Sequence, residues 1–196
     1  MTPEALGALA LFALVSSITP GPNNLMLMAS GANFGLRRTV PHMAGVALGF
    51  VFLLLCIGAG LGEVLERWPA LDTGLRALCL AYLAWLTWRL ATAAPPGERD
   101  GRDRPLTFLE AAAFQWINPK GWAMALTAVT AYLPGDGTRA LLAAAAVFGL
   151  VNLSSVSTWA VAGTRVRSLL GEGRRLRVFN VTMAILLALS VLPLFR

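Results

Sequence analysis

The stretch TFLEAAAFQWINPKGWAMALTAVTAYL, residues 107–133, carries the only lysine of the chain, Lys120, at the centre of an apolar run. All the other cationic residues are arginines, and they lie near the ends of such runs. An ammonium at membrane depth costs at least about 2.5 kcal/mol, so it is normally aimed at a partner, a cavity or a ligand. Pro119 removes a backbone donor beside it and frees a carbonyl one turn earlier, at the same depth. A second helix-breaking cluster, Pro20-Gly21-Pro22-Asn23-Asn24, interrupts an apolar run in the first half of the chain. Two broken apolar helices with polar residues at the break form a pattern associated with transporters.

The composition points the same way. Apolar residues make up 57% of the 196-residue chain and charged residues 13%, about half the charged fraction of a soluble domain. The length suits a single domain over residues 1–196. The net charge of +6 is read as arginines facing anionic lipid and not as a nucleic-acid footprint. Met1-Thr2-Pro3-Glu4 has no positive n-region and no small-residue cleavage site, so it reads as mature helix.

Six apolar segments approach the ~20 residues a bilayer core requires. They cover about 5–34 (overlong and broken), 39–62, 71–93, 107–133, 138–163 and 177–195. The expected fold is thus an all-α integral membrane bundle of six transmembrane helices, with helices 1 and 4 broken at proline motifs. The longest connector, 94–105, contains Pro95-Pro96-Gly97 and alternating charges, and reads as a cytoplasmic linker between halves 1–93 and 105–196. Eleven arginines fall in the loops after spans one, three and five, and four on the other side. By the positive-inside rule the former loops are cytoplasmic and both termini lie outside. Three spans per half then give opposite topologies, each half opening with its broken helix. That is the signature of a 3+3 inverted repeat with a binding site near the midplane.

The first break offers a helix restart at Pro22, favoured at a first turn. The free N–H groups there, with the positive end of the dipole, suit a carboxylate. Asn23 and Asn24 add amides; Ser16, Ser17 and Thr19 add hydroxyls. The competing reading is a kink that fits an overlong helix into the membrane. In the second break, Asn118 and Lys120 bracket Pro119, with Gln115 one turn earlier and Trp116 and Trp122 on either side. Lys120 could hold an anion, pair with an acid or titrate. Snorkelling is disfavoured because either interface is ~15 Å away, beyond the side chain's reach. Trp116 and Trp122 either line a cavity or pack the bundle, whereas Trp68, Trp85 and Trp88 fit the interfacial belt.

Other polar residues in the spans have bland readings beside functional ones. Asn152, Ser154, Ser155, Ser157 and Thr158 make span five unusually polar, and Asn180 and Thr182 do so for span six. Interhelical hydrogen bonds explain them as well as a substrate path does. Glu110 is read as the partner of a loop arginine, with proton relay as the alternative. Cys56 and Cys79 read as small hydrophobes, a disulfide remaining open. His42 is expected to cap or be solvated at the interface, and one histidine makes a metal site implausible. Gly31/Gly35, Gly45/Gly49 and Gly58/Gly62 read as close-packing faces.

The chain has no H-E-x-x-H, no G-x-S-x-G, no Walker-type glycine loop and no acidic pair for a divalent ion. The expectation is no catalysis, no metal and no cofactor; active transport would run on an ion or proton gradient. With Thr19-Pro20-Gly21-Pro22-Asn23 in span one and Asn118-Pro119-Lys120 in span four, the whole chain resembles the lysine-exporter (LysE/RhtB) family of small bacterial amino-acid effluxers. The run Leu25-Met26-Leu27-Met28-Ala29-Ser30 after the first break, and Gln115 to Trp122 around the second, look most similar to its cysteine/O-acetylserine branch. The resemblance implies proton-coupled export of a small neutral or polar amino acid across the bacterial cytoplasmic membrane, with lipid as the environment and a homo-oligomer left open. The candidate substrate-binding set, read from the residues of the two breaks and of span five, is Pro20, Gly21, Pro22, Asn23, Asn24, Gln115, Asn118, Pro119, Lys120, Trp122 and Asn152. Two rival classes are a non-transporting membrane subunit with a structural polar core, and an intramembrane enzyme, for which only Lys120 is at hand.

Overall fold

A computed structural model describes residues 1–93, 104–133, 135, 137–171 and 173–190. Most of the expected linker 94–105 lies outside those residues, as do Arg99, Arg102 and Arg196. Every regular element among the described residues is helical. In order they are α1 (Pro3–Ile18), α2 (Pro22–Phe34), α3 (Leu36–Cys56), a π-helical segment Ile57–Leu61, α4 (Gly62–Arg67), α5 (Pro69–Ala91), α6 (Phe108–Phe114), α7 (Pro119–Tyr132), α8 (Gly137–Leu170) and α9 (Arg174–Leu189).

By length and composition two helical stretches can cross a membrane, Leu36–Val64 and Gly137–Leu170. The bent pair α1–α2 qualifies as a third if it forms one broken span; its two arms are inclined by 54°. The other expected segments are present as α5, as the pair α6–α7, and as α9.

Each break follows from local chemistry. Pro20 and Pro22 withhold N–H groups from the ladder, so α1 stops at Ile18 and α2 restarts with proline at its first turn. Before α7, Asn118 precedes a proline and is pushed to extended backbone, φ −83°, ψ 107°. Residues 115–118 bridge the gap with tight i→i−3 bonds, such as Trp116 N–H to Ala113 O at 3.1 Å and Ile117 N–H to Phe114 O at 3.1 Å.

Helix α8 is the scaffold, packing against α1, α2 and α3. Its approach to α2 is backbone on backbone: a Cβ on Gly31 would fall on the Ala160 carbonyl, and one on Gly163 on the Met28 carbonyl. Gly45 and Gly49 bring α3 equally close to α6. Gly35 departs from the expected packing role. Nothing lies within 4 Å of the Cβ it would carry, and its φ of +79° makes the corner between α2 and α3.

Phe50, Leu53, Leu54 and Phe148 centre one apolar cluster, and Cys79, Leu83, Phe114 and Leu187 contribute to a second. Both cysteines are free. His42 corrects the expectation of an interfacial, solvated side chain. It is 1% exposed, because α3 starts at Leu36 and carries it nearly two turns into the bundle.

Candidate functional site

The break in α1 leaves the carbonyls of its last turn without intrahelical partners. Thr19 itself serves Val15 O and Ser16 O, and donors from beyond the break reach the carbonyls of Ser17, Ile18 and Thr19. Ser17 O accepts from Asn24 Nδ2 at 2.7 Å and from Ser155 Oγ of α8 at 2.8 Å. Ile18 O accepts from Trp159 Nε1 at 3.1 Å. Thr19 O accepts from Asn24 Nδ2 at 2.8 Å and from Lys120 Nζ at 2.7 Å. The ammonium also donates to Thr19 Oγ1 at 2.9 Å. Lys120 therefore sits at the negative end of the α1 dipole, where a cation is stabilised.

No ion pair joins that ammonium to a carboxylate among the described residues, where Glu63 and Glu110 are taken by Arg67 and Arg104. The Lys120 stem lies against the backbone of Gly21, where an added Cβ would meet Cδ at 2.8 Å and Nζ at 3.2 Å. Glycine at this position lets the two breaks touch.

The remaining polar groups divide into a second pair and a set of open donors. Asn23 and Gln115 exchange amide hydrogen bonds, 2.8 Å from Asn23 Nδ2 and 3.2 Å from Gln115 Nε2. Gln115 is fully buried and anchored to Ala111 O at 2.9 Å. Asn118 caps α7 by accepting from the Lys120 N–H at 3.2 Å. Helix α2, by contrast, has no side-chain cap at Gly21, so the N–H groups of its first turn point out of the helix unclaimed by a cap.

A cleft opens where these pieces meet. Gly21, Asn23, Asn24, Asn118, Lys120 and Asn152 all line it, with Ser16, Ser17, Phe50, Gly121 and Met124 completing the wall. The hydroxyl of Ser17 is buried there without a hydrogen-bond partner. Two helix starts, an unpaired ammonium and a spare hydroxyl thus surround one space, an arrangement that attracts a carboxylate.

Pro20, Pro22, Pro119 and Gln115 stand outside this lining, the prolines setting the breaks and Gln115 backing Asn23. Trp122 is turned away: its indole N–H donates to Trp116 O at 2.8 Å, and both rings pack on the first apolar cluster. Ser154, Ser157 and Thr158 bond carbonyls one turn back in α8, at 2.9, 2.7 and 2.9 Å, so interhelical bonding is not their role. Asn180 does bond across helices, exchanging 2.7 and 3.0 Å bonds with Asn33. Sequence reasoning passed over Phe50, Met124 and Trp159, which carry no local polar signal or break. Glu110 has its loop arginine: both oxygens accept from Arg104 at 2.7 Å while the carboxylate closes a capping box with Thr107. That carboxylate raises the Arg104 guanidinium pKa above its ordinary value.

The family model described as LysE type translocator matches residues 14–194. The chain is 33% identical to the Cysteine/O-acetylserine efflux protein of Escherichia coli (strain K12), with 100% of each covered. The protein of the same name from Shigella sonnei (strain Ss046) is likewise 33% identical over 100% of both chains. No solved structure matches. The chain belongs to the LysE type translocator family, and is a transporter and not an enzyme.

Proposed function

We propose that this protein exports a small neutral or polar amino acid, with cysteine and O-acetylserine as first candidates, outward across the cytoplasmic membrane. The observation that carries the reading is the cavity where both helix breaks meet around Lys120, which has no acidic partner among the described residues. A substrate carboxylate supplies the missing countercharge against Lys120 and the α2 N-terminus, while Asn23, Asn118, Asn152 and Ser17 orient the rest. The names of the relatives from Escherichia coli and Shigella sonnei support the choice of substrate.

The architecture that fits this activity is six spans in a 3+3 inverted repeat, termini outside, with α1–α2 and α6–α7 as the paired broken spans. With no nucleotide-binding motif in the sequence, the proton gradient is the proposed energy source. The test is efflux of a labelled amino-acid panel from proteoliposomes, with and without an imposed proton gradient. Export of O-acetylserine or cysteine that collapses with the gradient is expected; no export of any amino acid refutes the reading.

A second reading draws on the closed bonds Asn23–Gln115 and Lys120–Thr19. They would suit a non-transporting membrane subunit whose polar core is structural. That reading requires the panel to remain inside the vesicles.

A further inference from the structure

A larger cleft lies apart from the helix breaks at the arginine-bearing end of the bundle. The second half of α2, the start of α3, the end of α5, the segment 104–106 and Leu187 of α9 enclose it. We propose that this cleft is a second binding site, which holds the zwitterionic head of a small amino acid on the arginine-rich side of the central cavity. The proposal takes its ligand class from the amino-acid export reading above.

His42 is the strongest reason. It lines the cleft, it is 1% exposed, and neither ring nitrogen has a hydrogen-bond partner among the described residues. A neutral imidazole offers one donor and one acceptor, and leaving both buried and unmet is costly. An amino-acid head answers one of them: its carboxylate accepts from the imidazole N–H, and its ammonium, too close to the carboxylate to reach the far side of the ring, is left to a neighbouring acceptor.

The neighbouring groups have matching capacity. Thr39 Oγ1 donates to Gly35 O at 2.9 Å, so in the 2.9 Å contact between Ser30 and Thr39 the hydrogen comes from Ser30. The Ser30 oxygen is left with lone pairs for an ammonium. Arg89, which also lines the cleft, gives one bond to Arg104 O at 2.8 Å and stacks 5.4 Å from the Trp85 ring. Its guanidinium has five N–H donors, enough to meet a carboxylate as well.

Asn33, on the same wall, differs: its amide is spent on Asn180 and Ala29 O. Met26, Leu86, Leu90 and Leu187 leave apolar room for a short side chain. Helix α2 joins the two sites, since Asn23 lines the central cavity and Ser30 the cleft. Seven residues at 1.5 Å rise place them about 10 Å apart along one helix.

His42 is the only histidine, so nitrogen-15 histidine labelling of the full chain, purified without a histidine tag into lipid nanodiscs, yields one imidazole pair by NMR. The probes are O-acetylserine and cysteine, with acetate and ethylamine as half-ligands. A saturable shift of the imidazole resonances by the amino acid is expected in wild type and equally in Lys120→Met. Arg89→Gln, its ligand-free spectrum unchanged, should need about 10- to 150-fold more ligand, the range for one charge-assisted contact. Each half-ligand should act far more weakly than the zwitterion.

A wild type that exports O-acetylserine without any imidazole shift overturns the second site and leaves the export reading standing. A shift abolished by Lys120→Met also overturns it, because His42 would then be reporting on the central cavity. Acetate acting as strongly as the amino acid refutes recognition of a zwitterion. A shift in a protein that exports no amino acid would sink the export reading and retain the site.

Discussion

Replacing Lys120 with Met removes the ammonium while keeping the length of the side chain. The structure shows what is lost: two hydrogen bonds, to Thr19 O at 2.7 Å and Thr19 Oγ1 at 2.9 Å. Thr19 O keeps its 2.8 Å bond from Asn24, and no carboxylate is stranded. Two bonds from a charged donor contribute about 3–6 kcal/mol together, against a desolvation penalty of several kcal/mol that disappears with the charge. The terms offset, so membrane abundance and melting temperature should stay close to wild type.

Transport should fall about 10- to 150-fold, the loss of one charge-assisted substrate contact. Lys120→Arg should also be poor. The stem already packs on the Gly21 backbone, leaving little room for a broader, planar group that cannot release its proton. The assay pairs O-acetylserine and cysteine efflux from proteoliposomes with quantified protein per vesicle. Normal efflux by Lys120→Met at normal abundance would refute the reasoning. A tolerated Arg with an unstable Met would refute it too, by making the lysine structural.

Gly21→Ala drives a Cβ onto the flexible Lys120 stem, so efflux should drop on the order of 10- to 100-fold through misplacement while the detergent melting curve hardly moves. Gly163→Val places atoms on the Met28 carbonyl, where backbone cannot yield; a loss of about 1–3 kcal/mol or more should appear as reduced abundance before any transport measurement. In a background lacking Cys56 and Cys79, a cysteine at Arg139 should react with an impermeant thiol reagent on intact cells and one at Arg175 should not. The reverse labelling would invert the proposed orientation.

The membrane class and the helix breaks were legible in the sequence because both are local properties. Apolar runs record what each segment is solvated by, and Pro20, Pro22 and Pro119 break the hydrogen-bond ladder wherever they stand in a helix. The polar residues at those breaks were legible for the same reason, since an amide or ammonium in an apolar run is conspicuous on its own. The pairing of Glu110 was readable from the nearby loop arginines.

Which polar groups meet was decided only by the tertiary structure. Asn23 and Gln115 lie 92 positions apart, Lys120 and Thr19 lie 101 apart, and Asn33 and Asn180 lie 147 apart. No spacing within one segment encodes those pairings. They depend on helix rotation and on backbone approach at Gly31 and Gly163, which place α8 against α2. The burial of His42 and the turning away of Trp122 have the same origin. An imidazole near a helix start, or an indole near a proline, is solvated or packed according to the neighbours that folding brings to it.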